Sequence, residues 1–196
     1  MLYVKKSEDD RTSLFNNYKK NPVDTMININ NPADCCGCTA CASICAHDAI
    51  TMKPDALGFL YPEVDRSKCV DCGLCEKVCA FNDDYDKSLN IDNPLAYAAR
   101  HKNEEELRYS RSGAVFVAMS DYILEHGGVV YGAGYADHYR VVHKRATTKE
   151  ECNEFKGSKY VQSDMNTVFR QVKQDLKAGL AVLFSGTPCQ TAGLNS

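Results

Sequence analysis

Cys35-Cys36-Gly37-Cys38-Thr39-Ala40-Cys41-Ala42-Ser43-Ile44-Cys45 and, 34 residues further on, Cys69-Val70-Asp71-Cys72-Gly73-Leu74-Cys75-Glu76-Lys77-Val78-Cys79 repeat one cysteine pattern. Each run reads Cys-x2-Cys-x2-Cys-x3-Cys, and nine of the eleven cysteines in the 196-residue chain lie between Cys35 and Cys79. The start of the chain, Met1 to Arg11, carries charges where a secretory leader needs an apolar core. No apolar run approaches the roughly 20 residues that span a bilayer. A cytoplasmic location is therefore expected, and in a reducing compartment so dense a cysteine pattern points to metal or redox chemistry, not to a disulfide framework.

Three thiolates at two-residue intervals can wrap one cuboidal iron–sulfur cluster while the turns between them aim backbone N–H groups at its sulfides. The fourth cysteine sits too far round the following helical turn to reach the same cluster, and in two-cluster ferredoxins it ligates the other one. The expected sets are Cys35, Cys38, Cys41 and Cys79 on cluster one, and Cys69, Cys72, Cys75 and Cys45 on cluster two. Zinc would use two cysteines from each run and leave the others unexplained. The proline that usually follows the fourth cysteine is replaced by Ala46 and Ala80; it shapes the exit of the chain and ligates nothing. Cys36, out of phase with the pattern, reads as a small buried filler, and His47 as a surface residue.

Around this core the chain divides by texture. Residues 1–30 are polar and Asn-rich, an irregular lead-in. Residues 31–82 form the two-cluster 4Fe–4S ferredoxin domain, an α+β ferredoxin-like module. Within it Ala49 to Lys53 and Phe59 to Val64 flank Pro54-Asp-Ala-Leu-Gly58, which is hairpin chemistry. Residues 83–94 read as a linker ending in Asn93-Pro94. Residues 95–196 then read as an incomplete α/β domain with a mostly parallel sheet. Its expected parts are a buried helix from Val115 to His126 stopped by Gly127-Gly128, a strand at Val129-Val-Tyr and a helix opened by the capping box Thr148 to Glu151. A third helix, capped by Ser163 or Asp164, carries Met165, Val168, Phe169, Val172 and Leu176. A strand from Leu180 to Phe184 follows it. Glu104-Glu-Glu106 reads as a helix start. His101, His126, His138 and His143 show no ligand spacing and are expected at the surface; Cys152 reads as an idle thiol. The chain ends at Ser196 where a helix should be under way, so a longer protein is expected.

Ser185-Gly-Thr-Pro-Cys-Gln190 places a buried strand, a tight turn and a helix start in succession, an arrangement that lets backbone N–H groups face a ligand. Together with Arg111-Ser-Gly113, Gly128-Val-Val-Tyr-Gly132 and Lys156-Gly-Ser-Lys-Tyr-Val-Gln-Ser163, it resembles the ordered motifs of the coenzyme F-420 hydrogenase/dehydrogenase beta-subunit family. The resemblance covers roughly residues 94 to 194. It implies an FAD-binding α/β domain passing electrons between 4Fe–4S clusters and a hydride acceptor such as a deazaflavin coenzyme. It further implies that Ser112 and Gly113 touch the flavin or its phosphates. Lys156, Ser158, Lys159 and Gln162 would offer it charge and hydrogen bonds, and Gly186, Thr187, Pro188, Cys189 and Gln190 would form the turn beside it. Ala114 stands where many relatives have a second glycine. For Cys189 three roles remain open: an extra cluster ligand, a group beside the flavin, or a small residue at a helix start whose dipole lowers its pKa.

The balance of 44% hydrophobic and 25% charged residues is that of a globular protein. A net charge of −3 with scattered Lys and Arg argues against a nucleic-acid surface. The expected function is that of an iron–sulfur flavoprotein oxidoreductase subunit with a redox partner. The alternative is a flavin-free ferredoxin-type adaptor that docks on another enzyme. No catalytic acid or base can be named.

Overall fold

The computed structural model describes residues 26–29, 31–83, 85–88 and 90–196; most of the expected lead-in lies outside the described residues. A short 3-10 turn, Pro32–Asp34, leads into the first cysteine run, and α1 (Ala40–Ile44) carries its third cysteine. β1 (Ile50–Pro54) and β2 (Leu60–Val64) form an antiparallel hairpin in the register Ile50 to Val64. Its tip is held by Asp55, whose carboxylate accepts from the N–H groups of Leu57 (2.8 Å) and Phe59 (2.9 Å), the local bonding that suits aspartate to turns. α2 (Leu74–Lys77) carries the third cysteine of the second run.

Both short helices start from a residue in the left-handed region, Thr39 and Gly73. The internal repeat is thus a repeat of backbone conformation as well as of sequence.

Beyond residue 94, α3 (Glu104–Tyr109) is capped by Asn103, whose side chain accepts from Glu105 N and Glu106 N. α4 (Val115–Glu125) ends where Gly127 turns left-handed and Gly128 N returns to Ile123 O at 2.9 Å, a glycine stop of the expected kind. β3 (Val129–Tyr135) and β4 (Val141–Ala146) follow, joined by a tight turn. α5 (Lys149–Asn153) opens with the expected Thr148/Glu151 capping box. α6 (Val168–Lys177), β5 (Val182–Phe184) and α7 (Pro188–Asn195) complete the chain.

The second sheet has the order β4-β3-β5. β3 pairs with β5 in parallel, as expected, but with β4 antiparallel, so the sheet is mixed where a mostly parallel one was expected. The cause is the connection: five residues link β3 to β4, too few for the crossover that a parallel pair needs. The third helix starts later than its apolar spacing suggests. Met165 is fully buried ahead of it, Asp164 accepts from Asn166 N in a local turn at 2.9 Å, and Thr167 is the N-cap.

α4 and α5 cover one face of this sheet, where Ile123, Val130, Ala146, Cys152 and Leu183 are buried together. Cys152, read from the sequence as an idle thiol, is thereby a core residue. On the other face Tyr131, Met165, Phe169, Val172 and Phe184 pack with Ala40 and Val78 of the cysteine-rich module. One apolar core runs through both parts. Gly193 in α7 makes the close approach possible: a Cβ there would stand 2.8 Å from Ala40 Cβ. Tyr85, in the expected linker, donates to Ala192 O at 2.9 Å and fastens that segment to α7.

Candidate functional site

The cysteine-rich module has little apolar interior of its own. Its buried cluster consists of Met26, Cys41, Ile50 and Cys75, so the third cysteine of each run stands in the place of a core side chain. Cys79 lies close enough to Cys35 and Cys41 for their thiolates to repel one another. Cys45, from the first run, borders a small hollow together with Cys69, Cys72 and Cys75 of the second. Backbone N–H groups already point at sulfur: Gly37 N to Cys35 Sγ (3.4 Å), Ala49 N to Cys45 Sγ (3.4 Å) and Ile27 N to Cys75 Sγ (3.2 Å). Burial, with repulsion from neighbouring thiols added, pushes the Cys41 thiol up to about 12. Burial likewise raises Cys35 and Cys75. Thiols in this setting resist ionisation until a cation arrives among them, and a bound metal inverts that preference.

Among the described residues no three His, Cys, Asp or Glu side chains are drawn tightly enough to hold a single metal ion. Cys72 is exposed, so the second set of cysteines faces outward at that point, while Cys41 is buried.

A second site lies between the module and the sheet. A cavity of about 1070 Å³ opens there, at the upper end of the range for small-molecule sites. Three of the four sequence motifs that carry the family resemblance meet in its wall. Arg111 comes from the first, Lys156 to Ser163 from the third, and Ser185 to Thr187 with Cys189 and Gln190 from the fourth. Opposite them stand Cys35 and Cys36 and the hairpin tip from Leu57 to Tyr61. Ser112, Gly113 and Pro188 do not line the cavity. Gly113 instead presses on the segment before α3, where a Cβ would come within 2.2 Å of Ala99 O.

Several of the expected cofactor contacts are already engaged by protein. Lys156 pairs with Glu106 at 3.0 Å. Lys159 Nζ donates to the carbonyls of Glu154 (2.6 Å) and Lys156 (3.2 Å). Gln162 spans the two halves of the molecule: its Oε1 accepts from Leu60 N at 2.9 Å and its Nε2 donates to Cys36 O at 3.0 Å. Gly37 is required beside it, since a Cβ there would lie 2.2 Å from Gln162 Nε2. Gln190 is buried, donates to Ser163 Oγ (2.9 Å) and accepts from Thr187 N (2.9 Å), which fixes the turn at the start of α7. Ser158, Gly186 and Thr187 remain on the exposed rim.

Three residues stand differently from expectation. His143 is buried, stacks on Phe184 with ring centroids 5.4 Å apart, and its Nε2 lies 3.0 Å from Ser185 O. The carbonyl can only accept, so Nε2 carries the proton and Nδ1 is left with a lone pair and no partner among the described residues. Burial holds this imidazole below its ordinary pKa. His143 lines the cavity, and only its place in the alternation of β4 could have revealed it. Cys36 is half-buried in the cavity wall, next to the thiols of Cys38 and Cys189, where a buried filler was expected. Cys189, for which three roles were left open, sits at a helix start, and burial raises its thiol pKa, against the lowering that the third of those roles supposed.

No helix among the described residues is long and apolar enough to cross a membrane. No curated protein matches the chain. Residues 34–82 match the family of 4Fe–4S dicluster domains, so a ferredoxin-type 4Fe–4S domain occupies that part of the chain, and it supports iron–sulfur electron transfer with a redox partner.

Proposed function

We propose that the chain is a subunit of an iron–sulfur flavoprotein oxidoreductase, organised as a two-cluster domain at 31–82, a linker at 83–94 and the first part of a cofactor-binding α/β domain at 95–196. Cys35, Cys38, Cys41 and Cys79 hold one 4Fe–4S cluster; Cys69, Cys72, Cys75 and Cys45 hold the other. The residues fit such groups. Cys45 of the first run borders one hollow with Cys69, Cys72 and Cys75 of the second, and several thiols have N–H groups aimed at them. When bound, the clusters supply single electrons, and a flavin would collect two and exchange them as a hydride with a deazaflavin or another small redox substrate.

The observation that carries the flavin part is the cavity itself. It joins the motifs that resemble the F-420 beta-subunit family to Cys35 and Cys36, so no layer of protein separates a ligand in it from the first cysteine set. Arg111 at the rim and the N-terminus of α7 offer positive charge to a phosphate. Phe116, Phe155 and Tyr160 offer ring faces and edges to a flat ligand. Gln162 holds the hairpin and the first cysteine loop against this wall and so sets the separation between the two sites. Lys156 and Lys159, with their charges already engaged, shape the wall and contribute less to binding than the sequence suggests.

The test is the iron, sulfide and flavin content of protein purified without oxygen. About eight irons with matching sulfide, as two four-iron clusters require, and close to one FAD per chain are expected. The same iron without flavin, even after incubation with excess FAD, would leave the flavin-free adaptor as the function.

A further inference from the structure

Arg170 of α6 reaches into the cysteine-rich module and meets one short stretch of it. Its Nε donates to Ser43 O at 3.0 Å, and its Nη2 to Cys45 O at 2.9 Å and Ala42 O at 3.4 Å. These are carbonyls at the C-terminal end of α1, which have no partner within so short a helix and form its negative end. The same Nη2 pairs with Asp48 Oδ1 at 2.7 Å. Asp48 lies three residues beyond Cys45, and Cys45 Sγ in turn accepts from Ala49 N at 3.4 Å. Cys45 borders the hollow that Cys69, Cys72 and Cys75 also line. Around Cys35 and Cys38 stand the thiols of Cys36 and Cys189, and Gln162 donates to the carbonyl of Cys36 between them. Among the described residues a guanidinium is thus bonded to the backbone of Cys45, in the second set, where the Asp71 carboxylate also stands 3.7 Å from Cys69 Sγ.

We infer that Arg170 is a positioning residue for the second cluster, holding the Cys45 segment and raising that cluster's reduction potential relative to the first, with Asp48 as the opposing charge. The inference rests on the two-cluster reading proposed above. Adding an electron to a cluster adds negative charge, so a nearby cation favours the reduced form and a nearby carboxylate disfavours it; burial and hydrogen bonding around sulfur act through the same balance. A purely structural strut would do neither in a sign-dependent way.

The experiment is an EPR-monitored redox titration of the anaerobically purified holoprotein, the second-cluster signal being the one altered by Cys75→Ser. Arg170→Gln is expected to lower the potential of that cluster by about tenfold in its reduced-to-oxidised ratio, about 59 mV for one electron, leaving the other cluster unchanged. Asp48→Asn is expected to raise it. The backbone at Asp48 is left-handed, φ 48°, which asparagine tolerates well. Arg170→Lys, which keeps the charge and loses the fork, is expected to restore most of the potential. Shifts of the same sign in Arg170→Gln and Asp48→Asn, or no shift in either, would overturn the inference while leaving two clusters in place. If Arg170→Gln loses iron, Asp48→Asn decides alone, and an unshifted potential there sinks it. Unmodified protein with only one cluster signal would instead overturn the two-cluster reading, and this inference with it.

Discussion

The two halves of the molecule are built on different physics. In the cysteine-rich half the helices are four and five residues long, and the buried cluster that it forms on its own is Met26, Ile50 and two cysteines. Helices that short are not stable by themselves, and so small an apolar cluster cannot offset the entropy of ordering the segment. In the other half Val130, Tyr131, Met165 and Val172 are almost wholly buried between the sheet and its helices. At the edge the buried Tyr131 donates its hydroxyl to the half-buried Asp175 at 2.5 Å, and the exposed Arg145 donates to the same carboxylate at 2.8 Å. The first half depends on what its cysteines hold; the second depends on its own side chains. The seam between them is apolar at Ala40 and Val78 and polar at Gln162 and Arg170.

The largest effect is expected from Cys41→Ala, which removes a ligand and a core residue at once. Loss of about half of an expected eight irons, with disordering of the cysteine-rich half, should follow, read by iron analysis and by limited proteolysis. Full iron content in that variant would break the comparison.

Ile123→Ala, on the far face of the sheet, should cost about 2–5 kcal/mol in denaturant unfolding. Its iron content at low denaturant should stay unchanged, because Ile123 belongs to the core that needs no metal; iron loss there would show that the halves do not differ as described.

Gln162→Ala leaves Leu60 N and Cys36 O without their partner and should cost about 1–3 kcal/mol. The informative readout is the coincidence of two transitions, cluster absorbance and far-ultraviolet dichroism. They should separate in the variant and coincide in the unmodified protein. Coincidence in both would mean that the apolar contacts at Ala40 and Val78 carry the seam.

The smallest effect is a pH dependence. Burial lowers the pKa of His143 in the folded state, so the folded protein binds this proton less readily than the unfolded chain. The stability that the neutral imidazole contributes is complete above the unfolded value, about 6.5, and is lost as pH falls below it through the folded value. Denaturation midpoints at pH 7.5 and 5.5 should therefore differ more in the unmodified protein than in His143→Phe, which keeps a ring against Phe184. Equal differences would show that His143 does not titrate in this range.

Legibility followed the range of the interactions. The cysteine runs, the hairpin at Asp55 to Gly58, the Thr148/Glu151 capping box and the glycine stop after α4 are each decided within a few residues, and each is where the sequence places it. The mixed sheet was missed because β4 has no turn signal as strong as its neighbours and only its pairing with β3 declares it a strand. His143 was misplaced for the same reason: it is polar in the sequence and inside in the fold.

The sequence by itself determined the iron–sulfur character of residues 34–82, since ligand type and ligand spacing are local properties of the chain. Only the tertiary structure decided what the remaining polar residues do. Gln162 meets Cys36 across 126 positions and Arg170 meets Cys45 across 125. Contacts at that separation leave no periodicity to read, because they are fixed by how the halves pack and not by how the chain turns.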